Sequence, residues 1–448
     1  MRGPVAAVQT PVPPLRGYRF EALVIALVAL ASLSVVNLAS PQDRTRYELT
    51  RHVVLHGTLT IEPGFYDRAQ YGGKTYSDKA PGMSFLAIPA YEVERLMGVA
   101  RAPSGWASEG DLSLWGIRIA TSGLLFLVVV FLVGRVAEAL VPRTGAVTAV
   151  VFGTATIAAT LAPTFFEHDG GACLAFLAFV LAWRQRRRLM LVLAGLAAGV
   201  AVLFQYSTGL IALAVAVYVL ARAGRSVGWF VLGGVPAALA LAVYDTAAFG
   251  SPFHLSYRYE AGPLGSNQRE GFFGMAVPSW HGLVDTLVVD RGLLVFSPVL
   301  LAAAAGLVLM YRRGFRAEAV LAAVVTVVFV VSDAGYFLPY GGASPGPRFL
   351  TPAIPFLCLG LPFALERARA VVLALAVASI VLTTANAVTW SVRDSYDRWY
   401  PGHGFNDLAK TVWMWLGVDN RIVGAGITLL LALAALAVAS ASPAKMHT

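Results

Sequence analysis

Long uncharged apolar runs, repeated from one end of the chain to the other, restrict its folding more than any other feature. The first extends from about Ala22 to Ala39, and others lie near residues 113–137, 145–165, 170–183, 189–205, 207–221 and 227–248. After a long polar stretch, further runs lie near 292–311, 318–338, 349–365, 370–390 and 422–440. A helix needs roughly 20 apolar residues to cross the hydrocarbon of a bilayer, and within that layer every backbone donor and acceptor must be satisfied by the protein itself. The pattern predicts an all-α polytopic membrane protein of about twelve transmembrane helices. Composition excludes the alternatives: 57% of the 448 residues are hydrophobic and only 13% are charged, against about 25% charged in a soluble domain. A soluble enzyme, a disordered tail protein, a coiled coil and a disulfide-stapled secreted domain all drop out. Cys173 and Cys358 are the only cysteines, and both lie in apolar runs, which implies neither metal nor redox chemistry. No repeat period marks a solenoid.

The charges orient the bundle. A net charge of +9 would suggest nucleic acid as the partner of a soluble protein. Here the arginines gather in short connections: Arg184 and Arg186 to Arg188; Arg222 and Arg225; Arg312, Arg313 and Arg316; Arg367 and Arg369. By the positive-inside rule this side is cytoplasmic, so membrane lipids are expected as partners and nucleic acid is not. The opposite side receives the long connections near 41–111, 249–291 and 391–421, with most of the 25 acidic residues. Residues 1–20 and 441–448 are then expected as cytoplasmic tails of a single transmembrane domain over 21–440. The first run follows Arg2, Arg16 and Arg19 and lacks a small-residue cleavage site, so it reads as a retained span. Arginine exceeds lysine 30 to 4, a bias of GC-rich bacterial genomes, and the expected location is a bacterial cytoplasmic (inner) membrane.

The outer connections carry the candidate chemistry. After the first run, Ser40-Pro41-Gln42-Asp43-Arg44-Thr45-Arg46-Tyr47-Glu48 continues to a stop at Gly57, a spacing suited to an amphipathic interfacial helix with Asp43 near its start. A carboxylate there is also a good cap, and both readings stand. Further on, Asp78-Lys79-Ala80-Pro81-Gly82 precedes Met83 to Tyr91, a stretch too short to span and expected as a second interfacial helix. The Asp78–Lys79 pair suits either a structural ion pair or a lipid phosphate.

With these residues in place the chain resembles the GT-C superfamily, polytopic glycosyltransferases that use polyprenyl-phosphate sugars, among them protein O-mannosyltransferases and lipid A aminoarabinose transferases. Their pattern sets an acidic residue after the first span, then a Tyr and a Gly, then a Lys-Pro-Pro-like motif opening another interfacial helix. Asp43, Tyr47, Gly57 and Lys79-Ala80-Pro81 hold what look like the corresponding places. The family pattern has two adjacent acids where this chain has Asp43-Arg44, and Ala80 replaces one proline.

Three further positions join the candidates. Phe165-Phe166-Glu167-His168-Asp169-Gly170-Gly171 gathers three titratable groups at a helix boundary, where a capped helix start is the plain alternative. Arg118 lies about one turn inside the outer end of the second span and must either snorkel or meet a polar group, a phosphate among them. Gly346-Pro347-Arg348-Phe349 with Pro352 and Pro355 resembles the Pro-Arg-Tyr and spaced-proline pattern of these transferases, in which the arginine holds the donor phosphate. Arg291, in the loop of Tyr257, Arg258, Tyr259 and Glu260, is a further candidate phosphate contact.

The resemblance implies a polyprenyl-phosphate sugar donor and a lipid, glycan or protein acceptor. It implies an inverting transfer on the outer face, with Asp43 as general base and Lys79, Arg118, Arg291 and Arg348 around the phosphate. Tyr47, Asp78, Glu167, His168 and Asp169 would lie at the substrate. No cofactor is required for that chemistry, and a divalent metal is not excluded by it. A twelve-span secondary transporter is the main rival; it would show two similar halves and functional charges at the midplane, whereas the charges here collect at one surface. A lipid scaffold without activity is the third reading.

Overall fold

A computed structural model describes residues 18–64, 67–101, 112–262, 265–271, 273–342, 344–390 and 408–441. Most of both expected tails, and residues 391–407 of the long connection expected near 391–421, lie outside the described residues. The molecule is built from helices. Five helical segments are long and apolar enough to cross a membrane: Leu112–Leu140, Tyr206–Phe249, Arg316–Ala334, Arg348–Thr389 and Arg421–Ser440. Gly145–Thr154, His168–Ala182, Arg188–Phe204 and Val299–Arg312 are shorter apolar helices among them. Five crossing segments among the described residues thus stand where about twelve separate spans were expected, and part of the difference is in how the chain bends. Tyr206–Phe249 turns at Gly224, and Arg348–Thr389 breaks at Ala368 (φ −148°, ψ 55°), between the apolar runs 349–365 and 370–390.

Two expected runs end differently from their hydropathy. Tyr18–Ser32 stops short of Ala39, because Val35–Val36 becomes extended and pairs antiparallel with Lys410–Thr411. The run 145–165 is interrupted after Thr154 and resumes as Ile157–Leu161, with Thr156 extended between them. Apolarity alone cannot report such breaks, since a loop buried in protein is as apolar as a helix.

Close approach of helices depends on missing side chains. A Cβ on Gly195 would lie 1.8 Å from the Phe230 carbonyl oxygen, and one on Gly233 2.0 Å from that of Val192. These contacts seat Arg188–Phe204 directly on Val227–Phe249, as small residues do between membrane helices. Gly195→Ala is expected to destabilise the protein by about 1–3 kcal/mol, the usual cost of overpacking. Thermal denaturation in detergent checks this, with Gly228→Ala, where a Cβ meets nothing within 4 Å, as the reference.

The segment after the first helix is seated deeply at its start. In Pro41–His56, Gln42, Asp43, Thr45, Arg46, Glu48 and Thr50 are all buried in protein, while Leu55 near its end is exposed. Polar side chains survive there because they pair with groups on neighbouring elements. Gly82–Leu86 and Ile88–Leu96 behave as expected of a surface element, leaving Phe85, Leu86, Val93 and Leu96 exposed. Cys173 and Cys358 are buried free thiols.

Candidate active site

Asp43 is where the sequence placed it, at the start of a helix, but its surroundings define its task. Pro41 at the first helical position and Ser40 before it set a capping box, in which Asp43 N–H donates to Ser40 Oγ and the carboxylate accepts from Ser40 N–H at 2.7 Å. Gly57 closes the helix in the left-handed conformation (φ 62°). Arg118 reaches the same carboxylate at 3.1 Å through Nε and 3.0 Å through Nη2, and Phe165 N–H donates to Oδ1 at 3.0 Å. Ser40 Oγ adds a fifth donor at 2.5 Å. Burial pushes the Asp43 carboxyl up, yet Arg118 and Ser40 outweigh it and hold the group below its usual range. An ionised carboxylate offers about four lone-pair sites. Asp43 as placed has these sites occupied, and it ties three segments together.

Arg118 is likewise committed. Its remaining donors meet the carbonyls of Asn37 (2.7 Å) and Leu38 (3.0 Å), so the side chain lies in an ion pair without solvent contact. The helix widens to a π-turn over Ile119–Gly123 directly after it, a local irregularity common at functional sites.

The three titratable residues at 167–169 diverge. Glu167 pairs with Arg46 of Pro41–His56, whose Nη1 also donates to Gln42 Oε1 at 2.9 Å. Burial raises the Glu167 carboxyl, but Arg46, His168 and Arg348 hold it down at about 2. His168 opens the helix His168–Ala182; its Nδ1 lies 3.0 Å from Gln205 Oε1, and its buried Nε2 has no hydrogen-bond partner. Asp169 is buried with neither oxygen hydrogen-bonded. Opposite them stands Arg348, 7% exposed, at the head of the segment Arg348–Ala353 that packs on His168–Ala182. Its guanidinium lies over the rings of Phe166 (5.0 Å) and Phe349 (5.3 Å). Its Nε has no hydrogen bond, and no ion pair joins it to a carboxylate among the described residues. Gly341 (φ 71°) makes the space, since a Cβ there would lie 2.5 Å from Arg348 Nε.

Lys79 is held between acids, 2.5 Å from Asp78 Oδ2 and 3.3 Å from Asp67 Oδ2. Burial draws its ammonium down, but Asp67, Asp78 and Glu260 more than offset this and keep it above the usual lysine range. The pair is the structural one that the sequence left open, with Asp78 Oδ1 still unpartnered. Tyr47, expected at the substrate, packs edge-on against Tyr91 at 5.6 Å in an apolar cluster with Met83, Ile117 and Phe165. Arg291 donates to the Ser344 carbonyl at 2.9 Å and stacks on Tyr340, bracing the loop that leads to Arg348.

The structure thus gathers Glu167, His168 and Arg348, joins Asp78 to Lys79 nearby, sets Asp43 and Arg118 behind them, and leaves Asp169 apart toward Cys173. Sequence reasoning missed Arg46, Asp67 and Gln205. Arg46 had a signal in its spacing, one turn after Asp43 on the same helix. Gln205 had only its polarity at the end of an apolar run. Among the described residues no three His, Cys, Asp or Glu side chains are placed to share a metal ion.

No protein-family model matches the chain, and no curated protein matches it by sequence. Solved structures do. ArnT from Cupriavidus metallidurans, a lipid A aminoarabinose transferase, superposes in its form bound to undecaprenyl phosphate with a TM-score of 0.54 and 17% identity, over 94% of this chain and 76% of that one. Its apo form gives the same score and identity. The apo oligosaccharyltransferase of Archaeoglobus fulgidus matches with a TM-score of 0.50 and 13% identity, over 84% of this chain and 56% of its own length. Both are GT-C glycosyltransferases, and the chain has their fold.

Proposed function

We propose that the protein is a membrane glycosyltransferase that moves a sugar from a polyprenyl-phosphate donor to a hydroxyl of a lipid, glycan or protein acceptor, with inversion, on the outer face of a bacterial cytoplasmic membrane. The observation that carries this reading is Arg348: a buried guanidinium between two phenyl rings, its Nε without a hydrogen bond and with no carboxylate among the described residues at ion-pair distance. Burying such a charge is costly unless an anion arrives to pair with it, and a phosphate matches the guanidinium fork. The fold shared with a transferase that binds undecaprenyl phosphate supports the same donor class.

The leaving group of this reaction is a phosphate that departs as an anion, so a preorganised arginine supplies the stabilisation that matters most, and no resident cofactor is called for. Two carboxylates in apolar helices, Asp245 and Asp333, bear on the transporter rival. Both sit near the C-terminal ends of Val227–Phe249 and Arg316–Ala334, the end from which the connections toward the site leave, and not at mid-helix where a transport site is expected.

Protein in nanodiscs, given labelled undecaprenyl-phosphate sugars and a bacterial lipid extract, is expected to release undecaprenyl phosphate with at least one donor. Release unchanged by EDTA agrees with a cofactor-free reaction. Folded protein that releases nothing from any donor, yet accumulates solute in proteoliposomes, overturns the transferase reading.

A further inference from the structure

At the end of the bundle expected to face the cytoplasm, three helices meet around one buried carboxylate. Glu318, 2% exposed, stands in the first turn of Arg316–Ala334. Its Oε1 accepts from Trp183 Nε1 at 3.3 Å, Arg184 Nε at 3.1 Å and the Tyr218 hydroxyl at 3.2 Å. Trp183 and Arg184 directly follow His168–Ala182, and Tyr218 lies in Gly209–Ala223, so the node ties three elements together.

Charge is not balanced there. Arg222 lies in the last turn of Gly209–Ala223 and acts on both Tyr218 and Glu318, and Arg316 opens the helix that carries Glu318. Both arginines are exposed, and among the described residues neither forms an ion pair. Three guanidinium groups thus stand at one carboxylate, with two positive charges left over.

Arg184 is held more closely than the orientation of the chain requires. A topogenic arginine has only to lie in the right connection. Arg184 adopts φ 55°, a left-handed backbone that a residue with a Cβ keeps only when its surroundings hold it. From there its guanidinium lies 5.0 Å over the Phe315 ring and 5.9 Å over that of Trp183, with the side chain still 36% exposed. Further into the bundle the surface turns apolar. Val217 and Leu220 on one helix and Val320 and Val324 on the other are exposed, and these two helices pack on each other.

We propose that this node binds an anionic phospholipid of the adjacent leaflet. Its phosphate meets the guanidinium forks of Arg184, Arg222 and Arg316 through charge-assisted bonds, and its acyl chains cover Leu220 and Val320. A zwitterionic headgroup carries an ammonium for every phosphate and leaves the surplus charge in place, whereas phosphatidylglycerol brings a net negative charge and reduces it. Nothing in this site depends on the reaction at the other end of the bundle.

The test uses the full chain in detergent, with phosphatidylglycerol and phosphatidylcholine of the same acyl chains as probes. Native mass spectrometry reads the affinity for each lipid, and thermal denaturation reads the stabilisation each confers. An arginine at an anionic headgroup contributes roughly fivefold in affinity, so the wild type is expected to bind phosphatidylglycerol about 10-fold or more tightly than phosphatidylcholine and to melt higher with it. The double variant Arg184→Gln/Arg222→Gln is expected to lose most of that preference. Arg186→Gln/Arg187→Gln is expected to keep it, since it removes two exposed charges of the same face that take no part in the bonds to Glu318. Arg184→Lys/Arg222→Lys keeps both charges and is expected to retain a reduced preference, which decides the matter if the glutamine pair fails to fold. Equal affinity of the wild type for the two lipids overturns the proposal. So does an equal loss in the two glutamine pairs, which leaves the arginines to topology alone, and so does a lysine pair with no preference. Stabilisation by inorganic phosphate equal to that by phosphatidylglycerol assigns the node to a soluble anion and overturns the lipid site.

Discussion

Arg348→Met is expected to move stability and function in opposite directions. An arginine that meets a phosphate through charge-assisted bonds contributes about 1.5–3 kcal/mol per bond, so its removal is expected to weaken undecaprenyl phosphate binding by roughly 100-fold and to lower donor release at least as far. In the empty protein the same side chain is a buried cation resting on Phe166 and Phe349 with no carboxylate among the described residues at ion-pair distance, and methionine fills similar volume without the desolvation cost. Thermal denaturation without lipid is therefore expected to show Arg348→Met melting at or above the wild type, the mark of a site that trades stability for binding. Arg348→Lys is expected to recover only part of the affinity, because an ammonium cannot reproduce the planar fork and stacks less well on the two rings. A variant that melts lower and binds undecaprenyl phosphate as before places Arg348 in the packing and removes the observation on which the functional reading rests.

Arg348 and Arg118 also show how far the sequence could be read. Both are arginines at the mouth of an apolar helix, and hydropathy, spacing and family resemblance treat them alike. What separates them is a neighbour remote in sequence: Asp43 forms an ion pair with Arg118, and no carboxylate among the described residues forms one with Arg348. The bundle itself was legible because burial of apolar surface repeats in every run, and so was the gathering of acidic residues in the long connections. Helix ends were less so, since Ala368 and Thr156 break the backbone inside stretches whose composition never changes. Gln205 was invisible for a related reason. Its role consists of one hydrogen bond to His168, made possible by Gly171, and neither partner is near it in the chain.

Asp43 decides between two accounts of the chemistry, and the ion pair behind it makes the decision measurable. As an anchor, its carboxylate joins the capping box, the Phe165 amide and Arg118, all away from solvent. Asp43→Asn leaves the Arg118 charge buried without its partner and sets an amide NH₂ against the Ser40 N–H; breaking a buried pair in this manner costs about 3–5 kcal/mol. Arg118→Met is expected to produce a loss of the same order, since it strands the Asp43 carboxylate. Joining Arg118→Met to Asp43→Leu is expected to cost clearly less than the two single changes added together, because no charge is then left unpaired. Melting of the four proteins in detergent reads this coupling directly. A base, in contrast, is expected to leave stability untouched on conversion to asparagine and to abolish turnover alone. If Asp43→Asn melts with the wild type and releases no undecaprenyl phosphate while Arg118→Met still turns over, the proton goes to Asp43. If both variants melt early and lose donor binding together with turnover, the pair is the frame that holds the Phe165-to-Asp169 loop opposite Arg348, and the proton goes to another group of the site.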